Sequence, residues 1–343
     1  AGYSPEDGSE FMTFMNELKP RKVIGFTATP CRLKNMSIGQ TSYSQLNFIT
    51  RMRPVYFKNL IHVIQVEEMI RQGFWTPLKY ETWDFNGDAL KLNSNGSEYT
   101  AESISEAVRK NGLNNLILRR LMVLKDVCRS ILFFMDSVES CNTAAEWMNA
   151  KICAGMAEVV HGGTPKKQRE AIVERFKSGK TKVVFNYSAL GTGFDHPGLD
   201  CVIVGRPTFS FSSFYQWLGR AVRIKDDKDS ALVVDCCNNS SRFGDIRKLS
   251  IENYKGYGWG MFIGDKLITN IPMGDKVTKT DLDIKAAKKD RRRGLAQGVT
   301  ASPVPGRPDH PLGSTLMTFG KYCGWMLHSI PVLYSKFKNE TFE

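Results

Sequence analysis

From residue 130 onward, short and almost uninterrupted apolar runs alternate with segments of helical spacing. "SILFFMDS" (130–137), "AEVVHGG" (157–163), "TKVVFNYS" (181–188), "DCVIVGRP" (200–207) and "SALVVDCC" (230–237) have the length and β-branched character of strands. "ESCNTAAEWMNA" (139–150), "TPKKQREAIVERFKSGK" (164–180) and "SFSSFYQWLGRAVR" (210–223) have helical spacing, the second with Thr164 as N-cap and Pro165 at the first helical position. A strand that is apolar on both faces must be buried on both. When helices separate successive strands, the arrangement that achieves this is a parallel sheet covered by helices on each side. The fold class expected over residues 128–255 is therefore α/β.

The flanking segments divide by pattern. "RKVIGFTATP" (21–30) reads as a strand ending in hydroxyl residues, "VEEMIRQGFW" (66–75) as a helix stopping at Gly73, and "LKYETWDF" (78–85) as an alternating strand. These set off a first segment, 1–84. Residues 85–127 form a helical connection leading to the 128–255 domain. Residues 256–294 hold a hairpin around Gly264-Asp265 and the basic run "KAAKKDRRR" (285–293), readable as a phosphate-tracking stretch, a solvated helix end or a flexible tail. A Pro/Gly/Ser-rich linker occupies 295–314, and an aromatic module occupies 315–343.

Charge narrows the partners. Lysine and arginine number 47 against 35 acidic residues, a formal net charge of +12, which favours a polyanion such as nucleic acid. No apolar run is long enough for a transmembrane helix, and the polar start "AGYSPEDGSE" is unlike a secretory leader, so a cytoplasmic protein is expected. The eight cysteines are scattered with no C-x-x-C pair, which reads as free thiols in a reducing compartment. The five histidines show no ligand spacing, so no metal site is expected on this chain.

Two stretches carry candidate chemistry. "YSALGTGFDHPGLD" (187–200) contains Gly191, Thr192, Gly193 and Asp195, where flanking glycines allow close approach of a phosphate to backbone and the carboxylate can meet a ribose hydroxyl or an arginine. Taken alone it reads first as an ordinary Gly-rich strand-to-strand turn. In "YQWLGRAVR", Arg220 and Arg223 are three apart with Gln216 one turn before, which on a helix puts two guanidinium forks and an amide on one face suited to phosphate oxygens. All these loops are expected at the carboxyl ends of the strands, where parallel sheets gather ligands.

Taken together, these residues resemble superfamily 2 helicases of the DEAD/DEAH-like DNA repair and phage type. "GTGFDHPGLD" is similar to motif V, "YQWLGRAVR" to the Q-x-x-G-R-x-x-R form of motif VI, "VIGFTATP" to motif III, and "SILFFMDSVESC" to motif IV. "VVHGGTPKKQREAIVERFKSGK" is similar to the segment between motifs IV and V, and "QGFWTPLKYE" also has its counterpart there. The resemblance implies a RecA-like C-terminal helicase lobe preceded by a remnant of the first lobe. It implies that Arg223 is the arginine finger and Arg220 its companion at the γ-phosphate, with Gly193, Asp195 and Gln216 at the nucleotide. Gly162, Thr164 and Thr192 would contact nucleic-acid backbone, and Thr27 and Thr29 would couple the two sites. ATP and Mg2+ are the implied cofactors, and DNA the implied partner, with RNA as the alternative nucleic acid. The tail 315–343 is similar to a small domain ending some exonucleases of the exodeoxyribonuclease X type, or else is a hydrophobic docking strip.

Two motifs of such helicases are absent from this sequence: the phosphate loop G-x-x-x-x-G-K-[ST] and the D-E-x-H box that holds magnesium. "KSGKT" (177–181) does not substitute, because Glu174 stands where the loop's first glycine belongs and a helix precedes it. The chain reads as starting just after the D-E-x-H box. The expected activity is that of an ATP-dependent helicase or translocase completed by an N-terminal lobe in cis or in trans, in the cytoplasm, or a host's cytoplasm if phage-encoded. The alternatives are a non-catalytic nucleic-acid-binding fragment with vestigial motifs, or the motor segment of a restriction or nuclease assembly.

Overall fold

The computed structural model describes residues 9–38, 41–53, 55–191 and 194–297. In chain order the elements are α1 (Glu10–Leu18), β1 (Cys31–Ile38), β2 (Thr41–Phe48), α2 (Val66–Arg71), β3 (Leu78–Thr82), α3 (Ala101–Lys110) and α4 (Leu113–Val127). Then come β4 (Ile131–Phe134), α5 (Val138–Lys151), β5 (Ala157–His161), α6 (Lys166–Lys177), β6 (Val183–Tyr187), β7 (Cys201–Val204), α7 (Phe211–Leu218) and β8 (Ala231–Asp235). The last are α8 (Asn239–Phe243), β9 (Leu249–Tyr254), β10 (Gly258–Ile263), β11 (Lys266–Leu267) and α9 (Lys279–Gln297).

Six strands form one sheet in the order β3-β8-β7-β4-β6-β5, and each paired neighbour runs parallel. Every residue of the central β4 is buried, and its side chains alternate between two cores. Ile131 and Phe133 pack with α3, α4 and α5 through Ile104, Leu121 and Met148. Leu132 and Phe134 pack with α6 and α7 through Phe176 and Phe214. This two-sided burial is the physical reason the strands read as continuous apolar runs. The segment "FSFSSFY" belongs to the second core: Phe211, Phe214 and Tyr215 are buried.

Three expectations change. β3 is an edge strand of this sheet, paired Leu78↔Ala231 through Thr82↔Asp235, so the division at residue 84 cuts a strand away from its own sheet. Residues 21–30 form no strand: Ile24 and Phe26 are 65% and 97% exposed, and no strand among the described residues pairs with them. An isolated strand leaves its N–H and C=O groups without partners, so propensity alone does not make one. The third concerns α7, which stops at Leu218 rather than reaching Arg223.

Around the sheet, β1 and β2 form an antiparallel hairpin, and β9, β10 and β11 a meander that turns at Gly264 and Asp265. The chain divides into two compact units, the first ending at Val277 and the second made of Lys255–Tyr257 with the residues from Thr278 on. The described part of the second unit is dominated by α9, which contains the basic run 285–293. Residues from 298 on, with most of the 295–314 linker and all of the 315–343 module, lie outside the described residues. Among those described, no helix is long and apolar enough to cross a membrane.

Gly205, just past β7, packs closely against Phe133 of β4 and Ile117 of α4. A Cβ there would stand 2.5 Å from Phe133 Cε2 and 3.1 Å from Ile117 Cδ1, both in the core. Gly205→Ala should lower stability by about 1–3 kcal/mol in denaturant unfolding, through overpacking. Unchanged stability would show that the strand end and α4 are not in close contact.

Candidate nucleotide and nucleic-acid site

The candidate residues do not gather at one edge of the sheet. Asp195, Arg220 and Arg223 lie at the amino edge, beside residues that lead into β3 and β4. Gly162 and Thr164 lie at the carboxyl edge, just past β5. The expectation that all these loops sit at the strand carboxyl ends therefore holds for the second group alone. The connection from β6 to β7, residues 188–200, has to travel between the two edges to start a parallel strand, and this takes Asp195 to the far side.

The arginine loop grows out of the end of α7. Ser210 caps the helix by accepting from the Ser213 N–H (3.2 Å), and Phe211, Phe214, Tyr215 and Leu218 face the core. Trp217 stacks on Phe134 at 5.0 Å. After Leu218 the bonds tighten to i→i−3, with Arg220 N–H donating to the Trp217 carbonyl and Ala221 N–H to Leu218. Arg220 folds back, donating through Nε to the Gln216 carbonyl (3.2 Å) and through Nη1 to the Phe194 carbonyl (2.6 Å). Burial, then the neighbouring Arg223, push its pKa down, and Asp195 pulls it up.

The next carbonyls are taken by partners from elsewhere in the chain, which fixes the backbone that follows the helix. Thr76 donates its N–H to the Val222 carbonyl and its hydroxyl to that of Arg223, both at 2.8 Å. The buried ammonium of Lys228 donates to the carbonyls of Ala221 (2.7 Å), Arg223 (2.7 Å) and Pro197 (3.2 Å). Burial pushes this lysine down to about 8. Arg220 and Arg223 thus do not share a helix face. Arg220 is half-buried and tied to backbone, whereas the side chain of Arg223 is 59% exposed and meets Asp195 at 3.1 Å.

The Asp195 loop is anchored by the residue after it. His196 is buried against Phe176 and Phe194, with Nε2 3.0 Å from Ser130 Oγ. Burial first, then Lys177, Lys225 and Lys228, lower its pKa to about 4, so the ring is neutral at ordinary pH. Asp200 completes the seam, accepting from the backbone N–H groups of Arg129 and Ser130 at 2.9 and 3.0 Å. Thr192 and Gly193 lie outside the described residues.

In front of Arg223 and Asp195 opens a groove of about 640 Å³, whose opposite wall is built by His62, Met69, Gln72 and Phe74. It has the room and the exposed cation that a phosphate group needs. Magnesium is a different case: among the described residues, no group of three or more His, Cys, Asp or Glu side chains is placed to hold a metal ion.

At the carboxyl edge Gly162 is exposed, as a backbone contact requires. Thr164 is buried, and its hydroxyl accepts from the His161 N–H at 3.0 Å. It closes that loop rather than capping α6, whose first helical residue is Lys166 after Pro165. Thr27 accepts from the Thr29 N–H at 3.1 Å in the unpaired 21–30 segment.

His196, Lys228, Thr76 and the 62–74 wall were not visible in the sequence as parts of this site. Lys228 sits in "KDDKD", a run that looks like solvated surface, and a lone histidine carries no signal until its neighbours are known.

Residues 113–225 match the family of helicase conserved C-terminal domains. The chain is 24% identical over 222 residues to a Saccharomyces cerevisiae protein named ATP-dependent helicase IRC3, covering 64% of this chain and 30% of that one. It is 26% identical over 213 residues to a 51.5 kDa protein of a Lactococcus phage, covering 62% and 42%. To the uncharacterized ATP-dependent helicase MJ1574 of Methanocaldococcus jannaschii it is 24% identical over 279 residues, covering 75% and 40%. The chain thus spans less than half the length of each of these relatives.

The His196 anchor has a pH signature. The unfolded imidazole takes up a proton near pH 6.5 and the folded one near 4, so its contribution to stability is full above 6.5 and is lost as pH falls towards 4. The loss should be roughly 1–3 kcal/mol. His196→Phe, which keeps an aromatic ring between Phe176 and Phe194, should flatten this part of the stability–pH curve. If parent and variant lose stability equally between pH 6.5 and 4, the buried neutral ring is not what holds the loop.

Proposed function

From the match of residues 113–225 to helicase conserved C-terminal domains, we propose that this chain is part of a superfamily 2 helicase and supplies the arginine finger and part of the nucleic-acid path of an ATP-dependent DNA helicase or translocase working in the cytoplasm. The observation that carries this reading is the contrast at the end of α7. The backbone of Arg223 is fixed by Thr76 and Lys228, yet its guanidinium is exposed beside an open groove and, among the described residues, is held by Asp195 alone. An exposed ion pair is worth roughly 0–1 kcal/mol, so an arriving phosphate can take the guanidinium over at little cost. Arg223 is then the finger, and Arg220, with two donors committed to carbonyls, is its support rather than a second phosphate ligand.

When bound, ATP supplies the phosphoryl group and the negative charge that develops on its oxygens during transfer. This chain's part is to hold a planar fork where that charge grows and to keep Asp195 within reach of the sugar hydroxyls. The phosphate loop and the magnesium carboxylates belong to a first lobe. The unpaired 21–30 segment, with Phe26 exposed and Thr27 and Thr29 at its end, is the part of this chain suited to join that lobe's sheet. DNA would pass the opposite edge at Gly162, with Thr192 as a further expected contact, and movement of one lobe against the other would shift it.

The 343-residue chain alone should show no ATP hydrolysis above background. Mixed with or fused to a segment bearing G-K-[ST] and D-E-x-H motifs, it should show DNA-stimulated hydrolysis. In that assembly Arg223→Ala should cost on the order of 10³-fold in turnover, with Arg223→Lys recovering little because an ammonium lacks the planar fork. Hydrolysis by the chain alone, or full turnover with Arg223→Ala, would overturn the assignment. An assembly that binds DNA without hydrolysis would favour the non-catalytic reading.

A further inference from the structure

We infer that Arg206, laid over the ring of Tyr187, is a phosphate contact for a nucleic-acid strand running along the carboxyl edge of the sheet. The inference rests on the nucleic-acid reading above and adds a residue that no motif singled out. Arg206 is the second residue after β7, and Tyr187 is the last of β6. Because β4 lies between those strands, the side chain crosses the end of β4 to bring its guanidinium 5.5 Å from the Tyr187 ring centre. Tyr187 pairs in register with His161, and Gly162 follows. Arg206, Tyr187 and Gly162 therefore follow one another along a single edge.

The electrostatics of Arg206 separate it from its structural counterparts. Arg129, Arg175 and Arg247 each meet a carboxylate: Asp227, Glu158 and Asp245. Arg247 also covers a tyrosine ring, that of Tyr80, but it is neutralised at the same time. Arg206 makes no ion pair among the described residues, although its charge acts on the buried Asp136 carboxyl and pulls down a pKa that burial raises. Its Nε is buried without a hydrogen-bond partner, and Nη1 reaches only the Ser188 hydroxyl at 3.5 Å. Ser188 itself has φ +53°, a left-handed conformation that a serine adopts at a cost.

The backbone around Arg206 is nevertheless firm. Gly205 N–H donates to the Phe134 carbonyl at 2.9 Å, and Asn239 Nδ2 donates to the Arg206 carbonyl at 3.3 Å. A flat guanidinium on a firm backbone, with spare donors and no ion-pair partner among the described residues, suits a phosphodiester oxygen, and the aromatic face limits the rotamer freedom lost on binding. Nothing in this arrangement reads bases, so the contact should be independent of sequence.

The test is fluorescence anisotropy of a labelled single-stranded oligonucleotide with the 343-residue chain across a salt series. Arg206→Ala should reduce the slope of log K against log salt by about 0.7, one phosphate on a single strand, and weaken binding equally on different sequences. Arg206→Lys should restore the slope without the full affinity. Tyr187→Leu, which removes the ring and leaves the charge, should lower affinity with the slope intact. A purely structural arginine would instead lower the melting temperature and leave the slope alone, and that result would overturn the inference. If the parent chain shows no salt-dependent binding at all, the nucleic-acid reading itself fails. A parent that binds while Arg206→Ala keeps its slope removes only the proposal made here.

Discussion

Because all the paired strands of the central sheet run the same way, every connection has to carry the chain from the carboxyl edge back to the amino edge. The rest of the molecule follows from that requirement. Helices make most of these returns, and they cover both faces and create the two cores that meet at β4. The return from β6 to β7 contains no regular element among its described residues, so a single loop is available at both edges. Its early residues lie near Tyr187 and its later ones, Asp195 and His196, beside Ser130.

The amino edge shows how a cation is kept available. Exposed arginines cost little to place but are hard to aim, because a long side chain on a mobile loop loses entropy whenever it is ordered. Here the aiming is done by the backbone. Carbonyls that would otherwise end a helix unsatisfied are taken by Thr76 and by the buried ammonium of Lys228, which also holds the Pro197 carbonyl of the neighbouring loop. Arg220 adds a second tie by donating to Phe194. The two loops are bound to each other through main-chain oxygens, leaving the Arg223 fork and the Asp195 carboxylate facing the groove.

The carboxyl edge is built differently. Its polar groups sit at strand ends rather than on a capped helix, and the Thr164 hydroxyl is spent on closing its own loop. What remains open is main chain at Gly162 and the guanidinium of Arg206.

The sequence by itself determined the layers. Apolar runs at 131–134, 183–187, 201–204 and 231–235 can be buried on both faces only in a helix-covered parallel sheet, and period-3.6 segments between them supply the cover. It also singled out the glycine-threonine loop and the paired arginines as candidates, since residue type and spacing are local properties. Tertiary structure decided where those residues stand. Arg220 and Arg223 leave a common helix face because the bonds after Leu218 tighten to i→i−3 and the backbone that follows is held by Thr76, far away in sequence, and Lys228, beyond the loop. The 21–30 segment has strand propensity and no strand, because a strand exists only with a neighbour to bond. Edge assignment likewise waits on the fold: which end of a parallel sheet a loop reaches depends on how far it travels back, and no residue in it records that distance.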